Sequence, residues 1–297
     1  MRLLWAAMLL LPAFGASAGV VFTSLHSFQG FPNGAHPEAA LVQGSDGNFY
    51  GTTYDGGTNN AGTVFKISAT GALTNLYLFT GGNDGSNLYA GLVQGTDGNF
   101  YGTTFFGGTN GWGTVFKISA SGALTSLYSF TGGYDGGDSY ARLAQGNDGT
   151  FYGTTAHWGT NGYGTVFKIS ATGALTSLYS FTGGDDGEGP AGLVQGSDGN
   201  FYGTTYAGGT YGAGTVFRLT VAQAAPVFLA VTLTNGTLSL TWSAEAGGVY
   251  QLQYNSGLSS SNWTNLGDPA TAAGTTLSAT DSVTNGTRRF YRVALLP

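Results

Sequence analysis

The sequence has no cysteine and only three histidines. Disulfide bonds are therefore excluded, and so is a zinc site built from cysteine and histidine. Charged residues make up 8% of the chain, against roughly 25% in an average globular protein. Much of the polar character must come from uncharged residues, and glycine alone contributes 53 positions. Such a composition is typical of a turn-rich β-protein held together by hydrophobic packing and strand pairing.

Long apolar runs are also lacking, except at the very start. Arg2 precedes an apolar stretch from Leu3 to Phe14, and Ala16-Ser17-Ala18 has the form of a signal-peptidase site. Residues 1–18 are therefore predicted to be a secretory signal peptide. We expect an exported chain, located in the periplasm, on the outer surface or outside the cell. No later run reaches the roughly 18 apolar residues of a membrane span, so no transmembrane segment is expected after the signal is removed.

Acidic residues outnumber basic residues over most of the chain. Between Gly19 and Val221 the sequence has twelve acidic and five basic residues. A negative surface repels phosphate backbones, so nucleic acid is not expected as a partner. A polysaccharide or a surface protein is expected as the partner instead.

Four similar units of about fifty residues account for most of the chain. Asp46, Asp97, Asp148 and Asp198 recur at intervals of 51, 51 and 50 residues. Each is followed by a Phe-Tyr-Gly-Thr-Thr segment and a Thr-Val-Phe segment, and three units continue into Leu-Tyr-x-Phe. A fixed period of this length indicates a repeat architecture.

Each unit is predicted to contain four short antiparallel strands. In the second unit these are residues 90–94, 100–105, 114–119 and 123–130. Phe116 and Ile118 point to one side of the third strand and Val115 to the other, so both faces are apolar. This pattern is typical of a sheet packed between neighbouring sheets, as in a propeller blade.

The fourth unit has no Leu-Tyr-x-Phe segment, but a matching segment occurs at the N-terminus. Residues Phe22–Phe28 correspond almost position for position to Leu124–Phe130. The N-terminal segment is therefore predicted to form the missing strand of the fourth blade. The expected fold is all-β: a closed four-bladed β-propeller over residues 19–223, followed by a small β-sandwich.

Two further sets of repeated residues are expected to be structural. The four repeated aspartates lie in turns, where a carboxylate accepts hydrogen bonds from nearby backbone. The repeated glutamines, on the strand nearest the axis, are expected to form hydrogen bonds between blades; they are Gln43, Gln94, Gln145 and Gln195.

The repeat segments resemble those of a known family. Residues 192–205, Gly-Leu-Val-Gln-Gly-Ser-Asp-Gly-Asn-Phe-Tyr-Gly-Thr-Thr, and residues 164–170, Gly-Thr-Val-Phe-Lys-Ile-Ser, are similar to the glycine-rich Gloeo-Verruco (GloVer) tandem repeat of exported bacterial proteins. The resemblance covers roughly residues 20–221. It implies an exported or cell-surface protein without an assigned activity, and it provides no catalytic residues to carry over.

The last seventy residues have a different pattern. Two alternating segments flank Asn235-Gly236, a strong hairpin signal. Period-2 alternation continues through Tyr250, Leu252 and Tyr254. Residues 226–297 are therefore predicted to be a small β-sandwich similar to fibronectin type III-like modules. Trp242 and Trp263 are expected in its core.

Propeller topology places two sets of loops on one face. The loops between second and third strands, and the loops between units, would bring aromatic and acidic residues together: Trp112, Trp158, Tyr163, Tyr211, Asp135, Asp138, Asp185, Asp186 and Glu188. Exposed aromatic rings beside carboxylates suit sugar stacking with hydroxyl hydrogen bonds. The alternative is that these rings only fill gaps between loops.

Support for a metal or for catalysis is weak. The acidic loop 183–188, together with Asp135 and Asp138, offers oxygen ligands of the kind that Ca²⁺ prefers, but it does not follow the EF-hand pattern. Solvated acidic turns explain it more simply, so no cofactor is expected.

The histidines lie in separate segments, and no residue is assigned a catalytic role. We therefore expect a non-enzymatic binding protein. The alternatives are a carbohydrate-active enzyme using acids of the same face and a structural envelope protein.

Overall fold

The computed structural model describes residues 20–222, 225–245, 248–257, 262–283 and 288–296. The predicted signal peptide lies outside the described residues. Within these ranges the chain is all-β, with 22 strands in antiparallel sheets. The same ranges contain no helix with the length and apolar character of a membrane span.

The first three units each form a four-stranded antiparallel sheet in chain order. The first contains β1 (Val42–Gln43), β2 (Phe49–Thr53), β3 (Thr63–Ile67) and β4 (Leu73–Leu78). The second contains β5 (Val93–Gln94), β6 (Phe100–Thr104), β7 (Thr114–Ile118) and β8 (Leu124–Ser129). The third contains β9 (Ala144–Gln145), β10 (Phe151–Thr155), β11 (Thr165–Ile169) and β12 (Leu175–Ser180). The predicted repeat of short strands is confirmed.

The fourth unit differs from the others at both of its edges. It has three strands, β13 (Glu188–Gln195), β14 (Phe201–Ala207) and β15 (Val216–Leu219). Its first strand is much longer than β1, β5 or β9. Glu188 pairs with Ala207 as Gly137 pairs with His157 in the third unit. One residue is missing between Glu188 and Gln195, which gives the interval of 50 between Asp148 and Asp198, and in this shorter segment Pro190 also pairs with β14.

Successive units pack through aromatic rings. Tyr50 stacks on Phe100 of the next unit with ring centroids 3.9 Å apart, and Tyr101 stacks on Phe151 in the same way. Phe79, at the end of the first unit, contacts Phe116 edge-to-face at 5.3 Å. These rings are buried and join the sheets into continuous hydrophobic clusters. Because each unit buries its faces only against its neighbours, the array depends on contacts between units.

The repeated aspartates have the structural role that was expected. In the second unit Tyr101 donates its hydroxyl hydrogen bond to Asp97 at 2.8 Å, and the backbone N–H of Asn99 donates to the same carboxylate at 3.1 Å. Partial burial acts to raise the pKa of Asp97, but the hydrogen bonds from Asn99 and Tyr101 outweigh it and lower that pKa below 3.8. Tyr50 is the equivalent tyrosine of the first unit. Burial and the hydrogen-bonded Asp46 carboxylate raise its pKa to about 12.

Because its pKa is lower in the folded state, Asp97 stabilises the fold above the unfolded pKa near 4, and the contribution is lost as the pH falls through the folded value. We expect Asp97→Asn to lower the free energy of unfolding at pH 7 by about 1 kcal/mol, a value kept small by solvent screening. Urea denaturation at pH 7 and pH 3 would test this. The difference from wild type should shrink at pH 3, whereas the exposed Asp268→Asn control should show little effect at either pH. A pH-independent loss would contradict the prediction.

Two of the four repeated glutamines, Gln94 and Gln195, join neighbouring units as expected, whereas Gln43 and Gln145 donate to Gly47 and Gly149 in their own turns. The backbone N–H of Ser45 donates to Gln94 Oε1 at 3.0 Å, and that of Asn147 donates to Gln195 Oε1 at 3.0 Å.

The predicted closure of the fourth sheet by the N-terminal segment is not part of this structure. Residues 20–29 form no strand, and among the described residues β15 pairs only with β14. The segment lies instead against the first unit, where Phe28 contacts Phe65 edge-to-face at 5.1 Å. This contact buries an aromatic ring at the start of the array, while the edge of β15 stays uncovered.

The C-terminal residues form two sheets around one core. The first sheet contains β16 (Phe228–Thr234), β17 (Thr237–Ser243) and β21 (Thr276–Ser282). The second contains β18 (Val249–Asn255), β19 (Thr264–Asn265), β20 (Ala270–Thr271) and β22 (Phe290–Leu296). Trp242 is buried in the shared hydrophobic cluster, as expected. Trp263 is only partly buried, and the Arg292 guanidinium lies 4.4 Å over its ring. Similarity to fibronectin type III modules stays a prediction.

Candidate functional site

Two of the predicted aromatic residues meet where the second and third units adjoin. Trp112 lies in the loop between β6 and β7, and Trp158 lies in the equivalent loop between β10 and β11. Their ring centroids are 4.4 Å apart, with the ring planes inclined at 59°. Trp112 is half-buried, whereas Trp158 keeps 37% of its surface exposed. Together they form an aromatic surface that solvent can reach.

Trp158 has an unusual backbone conformation for a tryptophan. Its φ is +65°, and the equivalent residues of the other units are Gly56, Gly107 and Gly208, with φ of 76°, 75° and 77°. The same parallel bridge follows in the second, third and fourth units, formed in the third by Trp158 with Tyr163. A residue with a Cβ costs about 1 kcal/mol or more in this left-handed region. Three glycines form the same turn, so the turn itself does not require tryptophan.

Asp138 lies beside the two rings, in the loop that joins β8 to β9. Only 7% of its surface is exposed. Its Oδ2 lies 3.1 Å from His157 Nδ1, while its Oδ1 is buried. Gly137, the preceding residue, lies close to both indoles, because a Cβ there would be 2.9 Å from Trp112 Cβ and from Trp158 Cδ1. Asp138 therefore brings a buried carboxylate to the aromatic pair, where the Trp158 side chain acts on it as a hydrogen-bonding neighbour.

Burial raises the pKa of Asp138 above its ordinary value, because the charged carboxylate loses solvation there. The neighbouring His157 and Trp158 side chains act to lower it, but they do not cancel the effect of burial.

The contact between Asp138 and His157 was not predicted from the sequence. The same pair occurs in the first unit with the two residue types exchanged: His36 Nδ1 lies 2.8 Å from Asp55 Oδ1. In the second unit the equivalent positions hold Asn87 and Phe106. Aligning the units against one another would have given a signal, because it places His36 with Asp138 and Asp55 with His157.

The other predicted aromatic residues are distributed along the array. Tyr163 occupies the position of Trp112 in the following unit and packs closely over Gly183, where a Cβ would lie 2.7 Å from its ring. Tyr211, in the fourth unit, is 95% exposed. Within the described part of the chain, no ring contact joins Tyr211 to the tryptophan pair.

Two of the predicted acids have a repeated role in the fold. Asp135 accepts hydrogen bonds from the Tyr128 hydroxyl at 2.9 Å and from the Thr131 backbone N–H at 2.8 Å. Asp186 makes the equivalent contacts with Tyr179 and Thr182. The same turn occurs around Asp84 in the second unit, so these carboxylates are explained without a ligand.

Asp185 and Glu188 belong to the fourth unit, Asp185 in the preceding turn and Glu188 at the start of β13. Within the ranges that the structure describes, no three acidic or histidine side chains converge in a group that could hold a metal ion.

Comparison with known sequences agrees with the repeat pattern. The profile of the Gloeobacter/Verrucomicrobia repeat matches two overlapping stretches, residues 14–141 and 70–266. The chain belongs to this repeat family. The match continues past the fourth unit into the C-terminal residues. Among curated proteins, none matches the chain.

Several solved structures show a low similarity to this member of the Gloeobacter/Verrucomicrobia repeat family. A Thermus thermophilus protein described as an oxidoreductase (glucose dehydrogenase) is 14% identical, with a TM-score of 0.43, over 82% of this chain and 85% of that one. A gluconolactonase from Xanthomonas campestris is 15% identical, with a TM-score of 0.39, over 68% and 67%. An α-L-arabinofuranosidase from Clostridium thermocellum is 16% identical, with a TM-score of 0.39, over 70% and 82%. Similarity at this level does not transfer an activity or a substrate.

Proposed function

We propose that this protein binds a polysaccharide through the surface formed by Trp112, Trp158, Asp138 and His157. An exposed indole presents an apolar face that suits the C–H face of a sugar ring. The His157 side chain is 60% exposed, and its ring is oriented by Asp138, whose Oδ2 lies 3.1 Å from Nδ1; it provides a hydrogen-bonding group for a sugar hydroxyl. Polar groups beside aromatic rings are the usual composition of a small-molecule site.

The observation that carries the proposal is the presence of Trp158 at a glycine position. Strained backbone is maintained mainly where it serves a function, and here the strain places an exposed ring beside a second indole 4.4 Å away. A role confined to gap filling would not require an indole that remains 37% exposed.

A binding surface is favoured over a catalytic pocket by its shape. Cavities of about 540 Å³ and about 290 Å³ occur elsewhere in the structure, and neither is lined by Trp112 or Trp158. An open aromatic surface suits the binding of a chain that extends beyond the protein. Export, to the periplasm, outer surface or exterior, is part of the same proposal and is supported by the sequence of residues 1–18.

Trp158→Gly tests the proposal, because it restores the residue of the other units. Residues 19–297 would be screened on a glycan array, and affinity for the best soluble polysaccharide would be measured by affinity electrophoresis. We expect the variant to lose at least about tenfold in affinity, equivalent to 1.4 kcal/mol. Its far-UV circular dichroism spectrum should match that of the wild type, so that the loss of affinity is not a loss of fold.

Tyr211→Ala is the matched control, since it removes an exposed aromatic ring away from the tryptophan pair. Its affinity should equal that of the wild type. The proposal would be wrong if Trp158→Gly bound as tightly as the wild type, or if the wild type retained no polysaccharide on the array.

A further inference from the structure

The two ends of the repeat array carry complementary halves of one interface. Within the chain, the phenylalanine that follows the fourth strand of a unit contacts the third-strand phenylalanine of the next unit edge-to-face. The pairs are Phe79–Phe116, Phe130–Phe167 and Phe181–Phe217, at 5.3, 5.3 and 5.2 Å. Phe28 makes the same contact with Phe65 at 5.1 Å. Phe28 therefore holds the place of a fourth-strand residue in front of the first unit.

Backbone contacts support the same equivalence. A Cβ on Gly122 would lie 2.6 Å from the carbonyl oxygen of Leu76 in β4, and a Cβ on Gly71 would lie 2.7 Å from that of Leu25. Residues 22–28 thus pack on the first unit as β4 packs on the second. Unlike β4, this segment belongs to no sheet in the described residues, and Phe22 is 90% exposed.

The other end of the array lacks what the N-terminal segment could supply. Val216 in β15 is 80% exposed, whereas Val64 and Val115 at the equivalent positions are fully buried. A groove of about 290 Å³ runs beside β15, lined by Tyr179, Phe181 and residues 215–219. An uncovered edge of this kind is a template for the addition of another strand.

The stacking of tyrosine on phenylalanine between units is also incomplete at the two ends of the array. Tyr50, Tyr101 and Tyr152 each stack on a phenylalanine of the following unit. Tyr202 is the equivalent residue of the fourth unit and has no ring contact within the described part of the chain, where Phe49 of the first unit likewise has none.

We infer that residues 22–28 of a second copy of this chain form the missing fourth strand beside β15, so that copies associate head to tail. The occupant is specified by its sequence, since Phe-Thr-Ser-Leu-His-Ser-Phe matches Leu-Thr-Ser-Leu-Tyr-Ser-Phe of residues 124–130. A second copy is favoured because, in the described residues, the chain's own segment does not pair with β15 and no strand joins the first and fourth units. A head-to-tail contact of this type builds a ring or an open chain, and main-chain pairing of an added strand supplies the affinity.

The register follows from the complete units. In the second unit Lys117 pairs with Thr125 and Val115 with Tyr128. By the same register, Arg218 should face Thr23 of the second copy, and Val216 should face His26 of the second copy.

Cysteine cross-linking tests this register on a background without cysteine. Thr23→Cys and Arg218→Cys would be introduced into separate copies of residues 19–297, one carrying a size tag, and the copies would be mixed under mild oxidation. We expect most chains to form the mixed disulfide dimer. Lys168→Cys is the matched control, because Lys168 already pairs with Thr176 in its own sheet, and it should not cross-link to Thr23→Cys.

Two results would overturn the inference. One is no mixed dimer from Thr23→Cys and Arg218→Cys. The other is a double variant, with both cysteines in one chain, that cross-links only within itself at every concentration, which would indicate ring closure by a single chain. Light scattering provides a second readout without cysteine. The wild type should show a concentration-dependent mass above that of one chain, and Val216→Lys, at an exposed position, should reduce it to one chain. An unchanged mass in that variant would also contradict the inference.

Discussion

Phe116→Ala is expected to lower the free energy of unfolding by about 4 kcal/mol, the usual cost of removing a buried phenyl ring. Phe116 is fully buried. It packs against Phe79 of the preceding unit, and it pairs across the sheet with Gly102, which leaves room for the ring. The cavity would therefore open in the contact between two units, where neighbouring backbone cannot easily collapse into it. Urea denaturation followed by far-UV circular dichroism would measure the loss.

Phe217→Ala is the internal control for this prediction. Phe217 holds the same position in the fourth unit, and its contact with Phe181 is preserved at 5.2 Å. However, β15 has no fourth strand over it in the described residues, so the ring is only partly buried. At a protein concentration low enough to keep the chain monomeric, the loss should be less than half of that for Phe116→Ala. Equal losses would show that the two positions are buried alike, against the structure.

The repeats made most of the fold predictable. Each strand, turn aspartate and bridging glutamine occurs up to four times, so a local pattern that would be ambiguous once is strongly supported by its recurrence. The first strands were predicted too long, at residues 90–94 in the second unit against Val93–Gln94 in the structure. Leu92 is fully buried although it lies just before the strand. Its hydrophobic character was therefore wrongly interpreted as part of the strand pattern.

Pairing of the N-terminal segment with the fourth sheet of the same chain could not be predicted from the sequence, for a different reason. The match between residues 22–28 and 124–130 shows that the segment is suited to the fourth-strand position. It does not show whether the receiving sheet belongs to the same chain, because strand pairing is set by backbone hydrogen bonds that any copy can provide.

The candidate site was only partly predictable. Topology alone placed Trp112 and Trp158 on neighbouring loops, and they do lie together. The Asp138–His157 contact depends on side chains that come from different loops, so no local pattern within one loop indicates it. The clearest signal left in the sequence was Trp158 itself, which replaces a residue that is glycine in the other three units.

Gly113→Ala is expected to destabilise the chain by about 3 kcal/mol, through two separate causes. Gly113 has a φ of +88°, and a Cβ in that conformation costs about 1 kcal/mol. The Cβ would also overlap the carbonyl oxygen of Thr104 and lie 2.8 Å from that of Phe105. Both oxygens belong to backbone at the end of β6, which cannot rotate away as a side chain could. Overpacking of this kind costs about 1–3 kcal/mol.

Gly111→Ala separates the two causes, because Gly111 has the same φ of +88° with nothing within 4 Å of the added Cβ. Only the conformational cost applies there, so the loss should be about 1 kcal/mol. Urea denaturation of both variants would then give the steric part as the difference between them. Equal losses would mean that the loop before β7 yields to the new methyl group. Trp112 lies between the two glycines. If the loop yields, its tight contact with β6 does not hold Trp112 in position against Trp158.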